Sequence, residues 1–333
     1  MPIRKAPWLN RFGWRTALVG VTTSAVLAVW VVPAILRTEA KPQLSDAYAA
    51  PAGSLDGDAG RQPVPTGLDW EQLATDNGDW HTCAAGHADD CIVVRGTGPH
   101  VLLIGDSQAM SFVPMFEEQA AAHDLTLSLN VIAGCPWQEG LANDKQADDT
   151  AQTCEAGRVG WYDTVLPELD PDVVVLLERP RDDAAVWGGA VRRRDGRQQP
   201  LATAVYQTTR DSLAKITKVA GTTLIVQRLV MPETFDPLDC LASASTVGEC
   251  AVGVSIDPSN SDGFAAAAAA KNASIRTVNL NDIFCTGLPV CLPMDGDQVV
   301  WRDDHHYTAA YVSAKGDAVW GALQEAGAFS GLS

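Results

Sequence analysis

The chain has 333 residues, enough for one large α/β domain with accessory segments, and its 46% hydrophobic and 20% charged content excludes a disordered or collagen-like polymer. Its 41 Asp and Glu against 24 Lys and Arg give a formal net charge of −17. A body this acidic repels phosphate backbones, which excludes a nucleic-acid partner.

The few bases are concentrated at the start: Arg4, Lys5, Arg11 and Arg15 fall in a stretch without acids. Residues 16–36 (TALVGVTTSAVLAVWVVPAIL) then run for 21 positions without a charge, the length of a bilayer-spanning helix. The positive-inside rule predicts a cytoplasmic N-terminus over 1–15, a transmembrane anchor in the lipid bilayer over 16–36, and an extracytoplasmic remainder. A cleaved signal peptide is the alternative, with small residues at Thr38-Glu39-Ala40 or Ala47-Tyr48-Ala49. Residues 37–68, rich in Ala, Gly and Pro, read as a tether, leaving 69–333 as one folded domain.

The cysteines agree with export. Cys83 and Cys91, Cys135 and Cys154, Cys240 and Cys250, and Cys285 and Cys291 form four neighbouring couples, predicted from proximity to be local disulfides in an oxidising compartment. The competing reading is metal, but no couple has Cys-x-x-Cys spacing and no His stands at finger spacing from one.

From His100 the chain alternates. Strands are predicted at His100–Gly105, Leu125–Ile132, Asp172–Leu177, Thr222–Leu229 and Ile275–Leu280. Helices are predicted at Met110–His123, Glu155–Leu166, Leu201–Val219, Phe264–Asn272 and Thr308–Ala326. Short apolar strands between helices specify a mostly parallel five-stranded sheet covered on both faces, with the ligand crevice at the carboxyl ends of the strands.

The first of these strands ends in Gly105-Asp106-Ser107-Gln108-Ala109 at a helix start. A serine there lies in the crevice, and the helix N-terminus favours a developing oxyanion, although Asp106 or Ser107 also suits simple capping. Residues 299–308 read VVWRDDHHYT immediately before the last helix. A serine nucleophile needs a base, and the base needs a carboxylate to orient it. Only Asp303 with His306 has the three-residue spacing that lets such a pair meet within one turn of chain, because Arg302 stands three before His305. The alternatives are a solvated polar loop or a divalent-metal site built from the two acids and two imidazoles.

These residues resemble the SGNH (GDSL-like) hydrolases over about 100–326, and most closely the extracytoplasmic SGNH domains fused to or partnered with membrane acyltransferase family 3 proteins of the polysaccharide O-acetylase type. The resemblance is carried by VLLIGDSQA, by Gly134-Cys135-Pro136-Trp137, by Asp170-Pro171-Asp172 before VVVLL, and by WRDDHHYTAAY. It implies a three-layer α/β/α fold following the transmembrane helix. It also implies Ser107 as nucleophile, His306 as general base and acid, Asp303 as its orienting carboxylate, and Gly134 as an oxyanion donor beside Ser107. No cofactor is implied. The chemistry implied is acyl transfer, often of acetyl, to an envelope polysaccharide acceptor, with the acyl group delivered by a multi-spanning membrane acyltransferase; attack by water would make the same site an esterase. Two departures keep open a non-catalytic glycan- or partner-binding module. Gln108, which can donate a hydrogen bond but cannot titrate and is a candidate oxyanion or substrate contact, replaces a usual His after Gly-Asp-Ser, and Leu177-Glu178-Arg179-Pro180-Arg181 replaces the Gly-x-Asn-Asp block that supplies an oxyanion asparagine.

Arg179 is a candidate cationic stabiliser or a structural ion pair at the strand end. Trp137 and Trp301 flank the inferred site and are the expected sugar-stacking residues. The basic run Arg192–Arg197 reads as a solvated loop with an Asp-Gly turn, or as a dock for an anionic glycan or lipid headgroup.

Overall fold

The computed structural model describes residues 58–330, apart from 193–196 and 234. The segments expected as cytoplasmic N-terminus and anchor, and most of the tether, lie outside the described residues. Among the described residues no helix is long and apolar enough to cross a membrane. The end of the expected tether is part of the domain: Val64 and Gln62 exchange backbone hydrogen bonds with Ser245 and Val247, and Val64 and Leu68 pack against a small apolar cluster around Leu241.

The central sheet has six strands, one more than expected. They are β1 (Ile92–Val94), β2 (His100–Gly105), β3 (Thr126–Val131), β4 (Val173–Leu177), β5 (Thr222–Val226) and β6 (Ile275–Val278). Their order is β1-β3-β2-β4-β5-β6; β1 pairs antiparallel to β3 and the other five are parallel. The added strand is three residues long with no alternation to reveal it, and it caps an edge that would otherwise offer open backbone groups.

The alternation of side chains sorts the strands into two cores. Val101, Leu103, Val173, Val175 and Leu177 face one side, where Phe112, Met115 and Phe116 join them. Leu102, Ile104, Val174 and Leu176 face the other, against Trp161, Val165, Leu166, Leu213 and Ile216. Strands apolar on both faces require cover on both, which is why the chain returns through a helix between successive parallel strands.

After β2 a short helix, α1 (Ser107–Met110), precedes α2 (Val113–Ala122). On the other face lie α3 (Asp148–Arg158), α4 (Trp161–Leu169), α5 (Leu201–Ile216) and α6 (Asn260–Ala269). The single helix expected at Glu155–Leu166 is two, broken at Gly160, whose φ of +78° leaves the helical region. The closing helix is likewise two, α7 (Ala309–Ala314) and α8 (Gly316–Glu325).

All four disulfides form as the couples suggested: Cys83–Cys91, Cys135–Cys154, Cys240–Cys250 and Cys285–Cys291. Within the basic run, Arg192 and Arg197 pair across two short antiparallel strands, and residues 193–196 between them lie outside the described residues.

The strand order reverses at β2, whose neighbours β3 and β4 run away from it in opposite directions along the sheet. Open α/β sheets form their ligand crevice at such a switch point, and Ser107 lies two residues past the end of β2.

Candidate active site

Ser107 begins α1 because Asp106 caps it: the Asp106 carboxylate accepts the Gln108 N–H at 3.0 Å. Gly105 is required just before the turn. A Cβ there would meet the Leu177 carbonyl oxygen at 2.0 Å and the Ala109 Cβ at 2.4 Å, so no larger residue lets α1 tuck against the end of β4.

The other partners come from a tight loop. Trp301 and Tyr307 pair as an antiparallel bridge, the Arg302 N–H donates to the His306 carbonyl at 3.1 Å, and the Thr308 N–H donates to the Val300 carbonyl at 3.0 Å. Thr308 then caps α7 through its hydroxyl. The loop tip, 302–306, is thereby presented to Ser107 across 199 positions of sequence.

The structure brings the expected three residues together. His306 Nε2 lies 2.8 Å from Ser107 Oγ, and His306 Nδ1 lies 2.8 and 3.0 Å from the two Asp303 carboxylate oxygens. Burial pushes His306 below the ordinary imidazole range, opposed by Asp303 and aided by the charges of His305 and Arg302. For Asp303, partial burial pushes the carboxyl up, but hydrogen bonding to and the charge of His306, together with the His305 N–H, outweigh it and hold it at about 2. At neutral pH this pairs an ionised carboxylate with a neutral imidazole. The tautomer that protonates Nδ1 leaves the Nε2 lone pair facing the serine hydroxyl.

Behind Ser107 lies a buried layer of ionisable groups that was not anticipated. Asp106 accepts not only from Gln108 but from the Arg179 N–H and from Arg181 Nη2 at 3.0 Å. Arg158 is almost wholly buried and donates to the carbonyls of Gly105 and Pro136 and to the Asn130 side chain. Glu178 accepts from the Trp137 N–H and from Gln138. Its carboxyl is pushed up to about 8 by burial and by the Asp106 charge, against the opposing pull of Arg181, Gln138 and Trp137. The signal available in sequence was charge in apolar surroundings: Glu178, Arg179 and Arg181 follow directly on VVVLL.

Several expected site residues have other work. Trp301 is fully buried and stacks on Tyr307 at 5.9 Å, so it has no face to offer a sugar. Trp137 is 3% exposed and its backbone is held by Glu178 and Tyr162, which removes it from substrate contact too. The ion pair at the β4 end is made by Arg181 rather than Arg179, and both guanidinium groups lie over the Trp187 ring. Gln108 is buried, and its amide donates to the His305 carbonyl at 3.2 Å. Gly134 has φ +71°; its carbonyl accepts from Gln146 Nε2 at 2.9 Å, and the neighbouring Cys135 is tied to Cys154.

Asp303, His305 and His306 each offer a ligand atom within 4.8 Å of the others, the geometry of a candidate cation site. A metal there would have to displace contacts already made. Both nitrogens of His306 are engaged by Asp303 and Ser107, and His305 Nδ1 is paired with the Asp304 carboxylate.

A family model described as "SGNH domain (fused to AT3 domains)" matches residues 71–319. Among solved structures, the periplasmic domain of a lipopolysaccharide acetyltransferase from Salmonella ser. Paratyphi A aligns over 77% of this chain and 93% of its own, at 14% identity and a TM-score of 0.50. An acetyl xylan esterase from Geobacillus stearothermophilus aligns over 70% of this chain and 97% of its own, at 13% identity and a TM-score of 0.40. No significant match is found among curated proteins. With three quarters of its length matched by the family model and an SGNH-like α/β fold around the mostly parallel six-stranded sheet, the chain belongs to the family of SGNH domains fused to AT3 domains.

Proposed function

We propose that this protein is an extracytoplasmic serine-dependent O-acyltransferase, transferring an acetyl-sized acyl group to a cell-envelope glycan through an acyl-serine intermediate. The observation that carries the reading is the placement of His306 between Ser107 and Asp303, one ring nitrogen facing each. In the first half-reaction Ser107 Oγ attacks the carbonyl carbon of the acyl donor while His306 Nε2 takes the hydroxyl proton. The tetrahedral oxyanion is held by the N–H groups of Ser107 and Gly134. As the intermediate collapses, the bond to the leaving group breaks and that group receives the proton from His306. In the second half, His306 takes the proton of a sugar hydroxyl, the sugar oxygen attacks the acyl carbon, and Ser107 leaves with the proton returned.

The family's pairing with AT3 domains supports a membrane acyltransferase as the source of the acyl group. Four disulfides support an oxidising compartment. The second reading is an esterase, in which water replaces the sugar at the same triad, and the same geometry favours it equally.

A fluorophosphonate probe on the purified full chain tests the chemistry. Labelling at Ser107, abolished in His306→Ala and unaffected by EDTA, is the expected result. Absence of labelling in a folded protein overturns the enzymatic reading, and activity lost to EDTA and restored by zinc replaces it with a metal site. With an activated acetyl ester as donor, acetylated oligosaccharide identifies the transferase, and free acetate alone identifies the esterase.

A further inference from the structure

Gln108, the second residue of α1, and Ser111, its C-cap, stand three residues apart, so they share one face of that turn. The Gln108 amide donates to the carbonyl of His305 at 3.2 Å, and the Ser111 hydroxyl donates to the carbonyl of Tyr307 at 3.0 Å. These carbonyls flank His306 on either side. We propose that Gln108 and Ser111 form a two-point clamp that sets the position of His306 against Ser107, making both of them positioning residues for the proton transfer. This rests on the serine–histidine reading above and assigns the register of that same pair.

The loop is held together internally by the Arg302 N–H donating to the His306 carbonyl and the Thr308 N–H donating to the Val300 carbonyl. Its far side is fixed to the segment after β5, where the Glu233 N–H donates to the Asp304 carbonyl and the Tyr307 hydroxyl donates to the Val230 carbonyl. On the near side, the clamp ties it to the same helical turn that carries the nucleophile. Gln108 immediately follows Ser107, so any shift of the loop against α1 strains the grip before it lengthens the catalytic hydrogen bond.

The energetics of Gln108 argue for position over stability. Its side chain is 3% exposed, and its amide oxygen is buried without a partner. A buried, unsatisfied acceptor is unfavourable, so an apolar residue of the same length removes that penalty while losing only the one donor bond. Stability alone therefore does not account for a glutamine at this position.

Gln108→Met and Ser111→Ala test the clamp, with Ser111→Thr as the conservative rescue and Leu323→Ala on α8 as a control of comparable core damage. The readouts are the rate of fluorophosphonate labelling at Ser107 and a crystal structure of the Gln108→Met, Ser111→Ala double variant. The expected result is a fall in labelling of about tenfold to a hundredfold in each single variant, recovery in Ser111→Thr, and little change in Leu323→Ala. The Ser107–His306 separation in the double variant is expected to exceed hydrogen-bond range. Wild-type labelling rates in both single variants, or a loss no larger than that of Leu323→Ala, overturns the clamp. If the wild-type chain resists the probe, the enzymatic reading fails, and the crystallographic separation alone decides the clamp: retention of the short contact in the double variant overturns it.

Discussion

Arg181 donates to the Asp106 carboxylate at 3.0 Å with both side chains almost entirely removed from water. Asp106 directly precedes Ser107, whereas Arg181 lies four residues past β4, so the pair joins the Ser107 turn to the neighbouring strand end. This internal salt bridge holds the turn before Ser107 from behind.

Removing one partner leaves a buried charge without compensation. Arg181→Met is expected to lower stability by about 3–5 kcal/mol, because Asp106 keeps only neutral N–H donors. Chemical denaturation of the full chain measures it. A loss below about 1 kcal/mol means that the pair contributes little to stability.

The rate should keep its acid limb below pH 6.5. Catalysis needs His306 neutral, and burial together with His305 and Arg302 lowers its affinity for a proton. Activity is therefore present above the depressed folded value and lost as pH falls through it. His305→Gln removes one of the depressing charges, so the limb is expected to move to higher pH. A limb that moves to lower pH reverses the assigned sign. Asp303, held at about 2, stays ionised throughout, and Asp303→Asn is expected to lower the rate by roughly 10⁴ through loss of the productive tautomer.

Stability should fall as the solution becomes more alkaline across a defined window. The folded Glu178 carboxyl is raised from 4.5 to about 8, so between those values the native state binds a proton that the unfolded chain has released. Its contribution is fully present below about pH 4.5 and is lost as pH rises towards 8, with a slope of up to about 1.4 kcal/mol per pH unit. Glu178→Gln keeps an acceptor for the Trp137 N–H and gives the unpartnered Gln138 oxygen a donor once that amide turns over. It should flatten the profile in this window, and urea titrations at pH 5 and pH 8 measure the difference. An unchanged difference between the two pH values assigns the proton elsewhere.

What could be read in the sequence was local. HVLLIG and VVVLL are apolar on successive positions and need burial on both faces, so β2 and β4 were legible. Asp303 and His306 meet within one short loop, so their spacing carried the information. Pairings between distant segments were not legible: Arg181 with Asp106, Arg158 with Gly105, and Ser111 with Tyr307 depend on strand order. The α6 boundary shows a missed local signal. Ser259 and Asp262 form a capping box that starts the helix at Asn260, ahead of the alanine run on which the expected start at Phe264 was based. Trp301 shows the opposite error, since closeness in sequence to Asp303 says nothing of exposure. Its ring faces the core because the Trp301–Tyr307 bridge turns the loop tip outward instead.

The Cys135–Cys154 bridge offers the sharpest separation of stability from chemistry. It spans 19 positions and begins beside Gly134, the proposed oxyanion donor, whose carbonyl is also held by Gln146. Replacing both cysteines by serine is expected to lower stability by about 3 kcal/mol, the loop-closure entropy returned to the unfolded chain. Cys240–Cys250 spans 10 positions in a separate apolar cluster around Leu238 and Leu241, and its removal is expected to cost a similar amount. The two variants should nevertheless differ in rate. Loss of the first bridge frees the Gly134 segment and should slow labelling of Ser107 by about tenfold, because the oxyanion donor is no longer preorganised. Loss of the second leaves that segment intact and should leave the rate unchanged at temperatures where both variants remain folded. Equal rates in the two variants would remove Gly134 from the oxyanion site and leave the bridge a purely structural part.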